Sequence, residues 1–357
     1  MALNYRPRHG RGTSRRVRPD RASRAAAVDA VDSVWADEPA DAPVPFYKNK
    51  RTMALIAVLV ILAVIVAYGL YVYFSAASNM AAPEQDRAAI QEALDAPVAK
   101  DEPSYMLLLG NDRRPGQGWA RSDTVILARL DPNEKSVSLI SLARDTRVAV
   151  PGHGTTKLAH ASAYGGPALA IQTVKELTDL PVNHYVQVDF EGFASIVDAV
   201  GGVKMTVDKA TTSPEGVYVP AGKRVLTGKQ ALAFVRNRKG YAKGDHQRMK
   251  NQQKFLLALA RQASKPENFT RLPKIIDSTS ENIQTDMSVT ELMALAGKYR
   301  GIEKEDMRSK SAPVKGAVIG GGSYQVLKEA EFRAMLEDFE DGGFELEAKE
   351  DETESSK

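Results

Sequence analysis

The 357-residue sequence predicts one α/β domain carried outside the cytoplasm behind a single N-terminal transmembrane helix. Three observations predict it. Met53 to Phe74 is uncharged over about 22 residues, enough at roughly 1.5 Å per residue to cross the hydrocarbon core of a bilayer. From Tyr105 onward, apolar runs of strand length alternate with amphipathic stretches of helix length and no internal repeat appears, which reads as one α/β domain over residues 104–340. Polar and basic clusters stand just before or after those apolar runs, where α/β sheets place their ligand sites.

Taken in order, residues 1–51 carry eleven Lys/Arg against six Asp/Glu and no sustained apolar period, the pattern of a disordered basic cytoplasmic tail. The span follows over residues 52–75. Lys48, Lys50 and Arg51 abut its start and Tyr68, Tyr71 and Tyr73 gather near its end, so the positive-inside rule keeps the N-terminus in the cytoplasm. The apolar run is too long for the core of a signal peptide, and the segment before it is far too long as well. Residues 76–103, rich in Ala, Glu and Gln, read as a juxtamembrane stalk. Strands are then expected at Tyr105–Leu109, Thr124–Leu130, Val137–Leu142, Tyr185–Val188 and Val203–Val207. Lys157–Gly166 is expected to be a polar loop before a helix from Pro167 to Leu177. Asp189 can cap a helix over Phe190–Val200, ended by Gly201-Gly202, and two capping-box patterns, Thr227 with Gln230 and Ser288 with Glu291, open further helices. A last helix is expected over Tyr324–Phe339, with an acidic tail over 341–357.

The chemistry concentrates between Phe234 and Gln253, FVRNRKGYAKGDHQRMKNQQ. Alternation would put Arg236 and Arg238 on one face of an extended segment, and Arg248 and Gln252 stack at i, i+4 in the helix that follows. Together with Arg121, Arg144 and Arg147, which also flank apolar runs, they outnumber Asp112, Asp123, Asp145 and Asp245. Such an excess of fixed cations implies an external anion, and guanidinium groups suit phosphate or pyrophosphate. Asp112 and Asp123 stand at the edges of neighbouring strands. They read either as Mg²⁺ ligands, since that ion takes one or two carboxylates and fills its other positions with water and phosphate, or as partners of Arg113 and Arg121. Cysteine is absent and the five histidines lack metal-ligand spacing, which excludes disulfides, a thiol nucleophile and a zinc site. No GxSxG and no P-loop occurs. Phe190, Phe193, Ile196, Val197 and Val200 read as core or as the lining of a slot for a lipid tail.

In order and spacing, the blocks LLLGNDRR (107–114), RSDTVIL (121–127), SLARDTRV (141–148), KLAHASAYGG (157–166), DFEGFASIVDAVGGV (189–203) and LTGKQALAFVRNRKGYAKGDHQRMKNQQ (226–253) resemble the LytR-CpsA-Psr proteins of bacterial cell envelopes. The resemblance implies a three-layer α/β/α catalytic domain. It also implies a Mg-dependent phosphotransferase that moves a glycopolymer from a polyprenyl-pyrophosphate carrier to peptidoglycan through a phosphodiester. By the same resemblance Asp112 and Asp123 would hold Mg²⁺, and Arg121, Arg144, Arg236, Arg238 and Arg248 would contact the phosphates with Gln252 nearby. Asp123, Arg121, Arg144, Arg236 and Arg238 are the expected catalytic set, with Arg147 added to the pyrophosphate site on its position. Ala159 departs from the family, which often has Asn there. The acceptor's proton could pass to Asp123, Asp145 or Asp245. A non-catalytic lipid-pyrophosphate receptor and a pyrophosphatase with water as acceptor are the rival readings; a nucleic-acid partner is disfavoured by the span and the outside domain.

Overall fold

The computed structural model describes residues 50–112, 119–237, 244–269, 272–342 and 344. Contacts divide the chain into Met1–Val66 and Ala67–Lys357, and the sheet lies in the second.

The apolar run forms helix α1 (Lys50–Met80), within which Val58–Met80 has a mean hydropathy of 2.4, long and apolar enough to span a membrane. The helix runs five residues past the expected end of the span at 75. Its last turn is not lipid-like surface: Ala76 and Met80 are buried against Ile276, and Tyr73 Oη lies 3.2 Å from Thr290 Oγ1. The expected stalk carries α2 (Glu84–Ala93), which buries Ile90 in the main core, and beyond it Asp95 pairs with Lys175 at 2.9 Å. Residues 82–95 are therefore packed into the domain.

Strands β1 (Ser104–Asn111), β2 (Ser122–Asp131) and β3 (Ser136–Leu142) form an antiparallel meander. A small hairpin, β4 (Arg147–Val150) with β5 (Gly154–Lys157), leads into α3 (Leu158–Thr178). Here the expected loop is helical: the backbone amides of Leu158 and Ala159 donate to the carbonyls of Thr146 and Arg144 at 2.9 Å, seeding the helix early. Its pair of glycines instead makes a kink, with Gly166 at φ 62°, and Pro167 restarts the helix as a first-turn proline does. Next come β6 (His184–Asp189), α4 (Phe190–Ala199), β7 (Val203–Val207), β8 (Thr211–Thr212), β9 (Tyr218–Val219) and β10 (Gly222–Leu226). Asp189 caps α4 by accepting from the Gly192 amide at 2.7 Å.

Helix α5 (Gly228–Arg236) opens with the Thr227/Gln230 capping box, α6 (Gly244–Ala263) follows, then α7 (Pro266–Phe269) and α8 (Leu272–Thr279). β11 (Ile283–Thr285) precedes α9 (Val289–Lys298), which carries the Ser288/Glu291 box. The end of the chain adds β12 (Met307–Ser311), the hairpin β13 (Val314–Ile319) with β14 (Gly322–Leu327), and α10 (Glu329–Glu340). Tyr324 thus lies on a strand and not in the last helix. Gly320 and Gly321, both at positive φ, make the two-residue turn that this hairpin requires.

The central sheet runs β11-β6-β1-β2-β3-β12, with β6 parallel to β1, β12 parallel to β3 and the remaining pairs antiparallel. Its central strands are apolar on both sides, so both sides must be covered. Leu107, Leu109, Leu127 and Ile140 pack with α2, α3 and α10, and Met106, Ile126, Ala128 and Leu139 pack toward α6 and α9. The result is helix, sheet, helix: the three-layer α/β/α arrangement. A second core joins α4, α5, α6 and β7 through Val197, Val203, Phe234 and Phe255.

Candidate active site

Between the sheet and α4, α5 and α6 lies a cavity of about 650 Å³. It is graded from polar to apolar because the elements that line it are. Along α6 the lining residues are Arg248, Gln252, Leu256 and Leu259, so the wall changes from cation to hydrocarbon over roughly 16 Å of helix. On the sheet, Asp123 and Thr124 lie toward the strand end, while Ile126 and Val186 lie further in. Phe190, Phe193 and Ile196 of α4 also line it, whereas Val197 and Val200 belong to the second core. Phe190, Phe193 and Ile196 thus line a cavity, and Val197 and Val200 are core.

A β-bulge sets Asp123. Gly110 pairs with Thr124 but Asn111 pairs with Ser122, which leaves Asp123 as the extra residue. A bulge re-aims the side chain it inserts, and here consecutive residues, Asp123 and Thr124, both reach the cavity. Arg144, just past the end of β3, donates from Nη1 to Asp123 Oδ1, and its Nε lies 3.5 Å from Asp145 Oδ2. Lys157 Nζ holds the other Asp145 oxygen at 2.8 Å. Arg144 is thereby fixed between two carboxylates.

Arg236 reaches the same cavity by a route different from the expected one. It ends helix α5 and does not sit on an extended segment; the capping box and the apolar face of α5 carry the helix through it, and only Asn237 is extended. Its guanidinium lies 4.4 Å from the centre of the Phe190 ring and 3.5 Å from Glu215 Oε1. Hydrogen bonding from Ser213, then from the backbone, holds Glu215 below the usual carboxylate range, and Arg236 adds to this. Arg248 is only 4 % exposed, and Gln252 donates from Nε2 to the Val235 carbonyl at 3.4 Å, tying α6 to α5.

The structure therefore brings Asp123, Arg144, Arg236, Arg248 and Gln252 to one cavity. Arg121, Arg147 and Asp112 are exposed and do not line it. Asp112 follows the last residue of β1; Arg121 stands close enough to His160 that, after burial, its charge is the next cause pushing the imidazole pKa down. Arg238 lies outside the described residues, as does the side chain of Asp245. The cationic excess is smaller than the sequence suggested, because Glu215 was not reckoned with. Around the lining, Arg144, Lys229, Arg236 and Arg248 face Asp123, Asp189 and Glu215. Glu215, Ser213 and Asn237 come from turns and a helix end with no periodic signal, so nothing in the local sequence marked them.

As a candidate for Mg²⁺, the donor set is two carboxylates at the ends of paired strands, with Asp112 open to solvent and Asp123 partly so. Among the described residues no group of three or more His, Asp or Glu could hold a metal ion. Mg²⁺ asks for only one or two carboxylates from a protein, with water and substrate phosphate supplying its other ligands.

The fold thus joins a charged end, where Arg144, Arg236 and Arg248 stand with Asp123 and Glu215, to an apolar length lined by Phe190, Phe193, Ile196, Leu256 and Leu259. The chain belongs to the LytR-CpsA-Psr family, whose model matches residues 68–341. It is 32 % identical over 303 residues to the polyisoprenyl-teichoic acid–peptidoglycan teichoic acid transferase TagU of Enterococcus faecalis, a match covering 82 % of this chain and 97 % of the relative. Bacillus subtilis TagV superposes with a TM-score of 0.61 at 30 % identity, covering 68 % of this chain and 99 % of that one. TagT (YwtF), solved with bound octaprenyl pyrophosphate lipid, gives a TM-score of 0.53 at 26 % identity over 68 % of this chain and 90 % of its own.

Proposed function

We propose that the protein transfers a glycopolymer from a polyprenyl-pyrophosphate carrier to peptidoglycan at the outer face of the cytoplasmic membrane. The observation that carries this reading is the graded cavity: its apolar length suits a prenyl tail and its charged end suits a pyrophosphate. The ligand of the TagT structure and the activity named for TagU support the same reading.

In the reaction, an acceptor sugar hydroxyl attacks the phosphorus that bears the glycopolymer. The bond from that phosphorus to the bridging oxygen breaks, polyprenyl phosphate leaves, and the glycopolymer becomes joined to peptidoglycan by a phosphodiester. The hydroxyl proton departs to a base or to solvent. Arg144, Arg236 and Arg248 neutralise the phosphoryl oxygens, and because they are held by Asp123, Phe190 and the packing of α6, little reorganisation is needed when charge develops. Asp123, with Asp112, would hold Mg²⁺; that ion, when bound, supplies further charge neutralisation on the phosphates. By the family resemblance Arg238 would contact the same phosphates, while Arg121 and Arg147 stand outside the cavity wall. The basic residues before the span place the N-terminus in the cytoplasm and the domain outside.

The test is an incubation of the full chain in detergent with a polyprenyl-pyrophosphate glycan, peptidoglycan fragments and Mg²⁺. Polyprenyl phosphate and a phosphodiester-linked product are expected, and both should fall to background in excess chelator and return with added Mg²⁺. Lack of either product would overturn the transferase reading; full activity in chelator would overturn the metal alone.

A further inference from the structure

We propose that the exposed rings of His153 and Tyr164, with His160 beside them, form the subsite that holds a sugar of the acceptor glycan strand. The proposal rests on the transferase reading above. Neither His153 nor Tyr164 lines the cavity, and of the block KLAHASAYGG that carries Tyr164 it is Lys157, through Asp145, that supports Arg144.

The His153 ring, in the turn between β4 and β5, stacks on that of Tyr164, in the second turn of α3, with centroids 4.5 Å apart and planes at 19°. The pair is not buried: Tyr164 remains 49 % exposed and His153 is exposed as well. Stacking covers one face of each ring and leaves the outer faces in water. Such a surface suits the C–H face of a pyranose, while the polar edges of the rings and neighbouring donors suit its hydroxyls and acetamido group. The neighbours are present. His160, one helical turn before Tyr164, lies 2.8 Å from the Thr156 hydroxyl, and Lys157 Nζ lies 5.7 Å from the centre of the Tyr324 ring. Burial, then Arg121 and Lys157, push the His160 pKa down, which favours the uncharged imidazole.

Position is the second argument. The Ser122 hydroxyl, one residue before Asp123, is 2.6 Å from that of Ser162, between His160 and Tyr164 on α3. Lys157 bonds Asp145, whose other oxygen faces Arg144. Lys157 thus joins the Tyr324 ring to the Asp145–Arg144 pair at the charged end of the cavity, where an acceptor hydroxyl must approach.

The experiment uses the full chain in detergent at fixed donor lipid with a soluble N-acetylglucosamine oligosaccharide as acceptor. Tyr164→Ala and His153→Ala should each raise the acceptor KM roughly five- to ten-fold while kcat, and release of polyprenyl phosphate without acceptor, stay unchanged; Tyr164→Phe keeps the ring and should behave as the parent. An unchanged acceptor KM overturns the subsite, as does competition by free stem peptide in place of the oligosaccharide. Binding of the oligosaccharide is also read by saturation-transfer NMR without catalysis. If the parent releases no polyprenyl phosphate, the transferase reading falls. NMR still decides the subsite, with loss of signal in Tyr164→Ala supporting it and an unchanged signal overturning it.

Discussion

Arg144 is the residue on which the charged end of the cavity turns. It touches Asp123 and Asp145 at once, and Asp145 is in turn held by Lys157, so its guanidinium is aimed before any ligand arrives. These contacts are partly exposed, and as stabilising ion pairs they contribute little; their use is orientation. Arg144→Ala is therefore expected to leave the melting temperature nearly unchanged and to lower kcat by about 10²–10³, the loss typical of one aimed donor at a developing charge. Arg144→Lys should recover little of that, because an ammonium cannot span two carboxylates in a plane. Steady-state release of polyprenyl phosphate, set beside a thermal melt, checks both. At this scale the sequence was partly legible. Asp123, Arg144, Arg248 and Gln252 could be picked out because each flanks or stacks on an apolar element, and such positions fall at the mouths of α/β folds. Arg121 and Arg147 obey the same rule and yet are exposed outside the cavity, because Arg121 just precedes β2 and Arg147 opens the separate β4–β5 hairpin. Glu215, which pairs with Arg236, lies in a turn that only the folded chain brings near.

Among the elements, the contact between α4 and α5 governs the shape of the apolar part of the cavity. Gly228, at the start of α5, packs so closely on α4 that a Cβ there would sit 2.2 Å from the Ala194 carbonyl oxygen. Ala194 lies between Phe193 and Ile196, which line the cavity, so a side chain at 228 must push the slot wall itself. The Gly228 amide also donates to Asp198 at 2.7 Å, which closes α5 onto the far end of α4. Gly228→Ala is expected to cost about 1–3 kcal/mol, the range for overpacking a well-filled core, and to weaken binding of a prenyl pyrophosphate at temperatures where the protein stays folded. Chemical denaturation measures the first and a lipid-binding titration the second; a variant as stable as the parent would show that α4 and α5 separate freely. Helices with side-chain caps were the easiest elements to read, since Thr227, Ser288 and Asp189 announce themselves by residue type and spacing. The start of α3 and the strand at Tyr324 were not. The first depends on carbonyls supplied by Arg144 and Thr146, the second on a strand partner across the Gly320-Gly321 turn, and neither partner is visible in a local window.

For the molecule as a whole, the substrate is what ties the membrane segment to the cavity. A polyprenyl carrier cannot leave the bilayer far behind, so a domain that accepts its tail must work at the surface on which the acceptor lies. The sequence puts the basic residues Lys48, Lys50 and Arg51 before the span, and by the positive-inside rule the domain is expected on the side away from the cytoplasm. The chain offers a direct way to test this, because it contains no cysteine: any single one introduced is the only thiol that a probe can find. Ser323 is an exposed position on β14, and its conversion to Cys should disturb nothing buried. Ser14 lies in the basic tail before the span. In intact cells a membrane-impermeant maleimide is expected to label Ser323→Cys and to leave Ser14→Cys unlabelled until the membrane is opened, after which both should react equally. The reverse pattern would place the domain in the cytoplasm, away from peptidoglycan, and with it the proposed acceptor would be lost even if the lipid still bound.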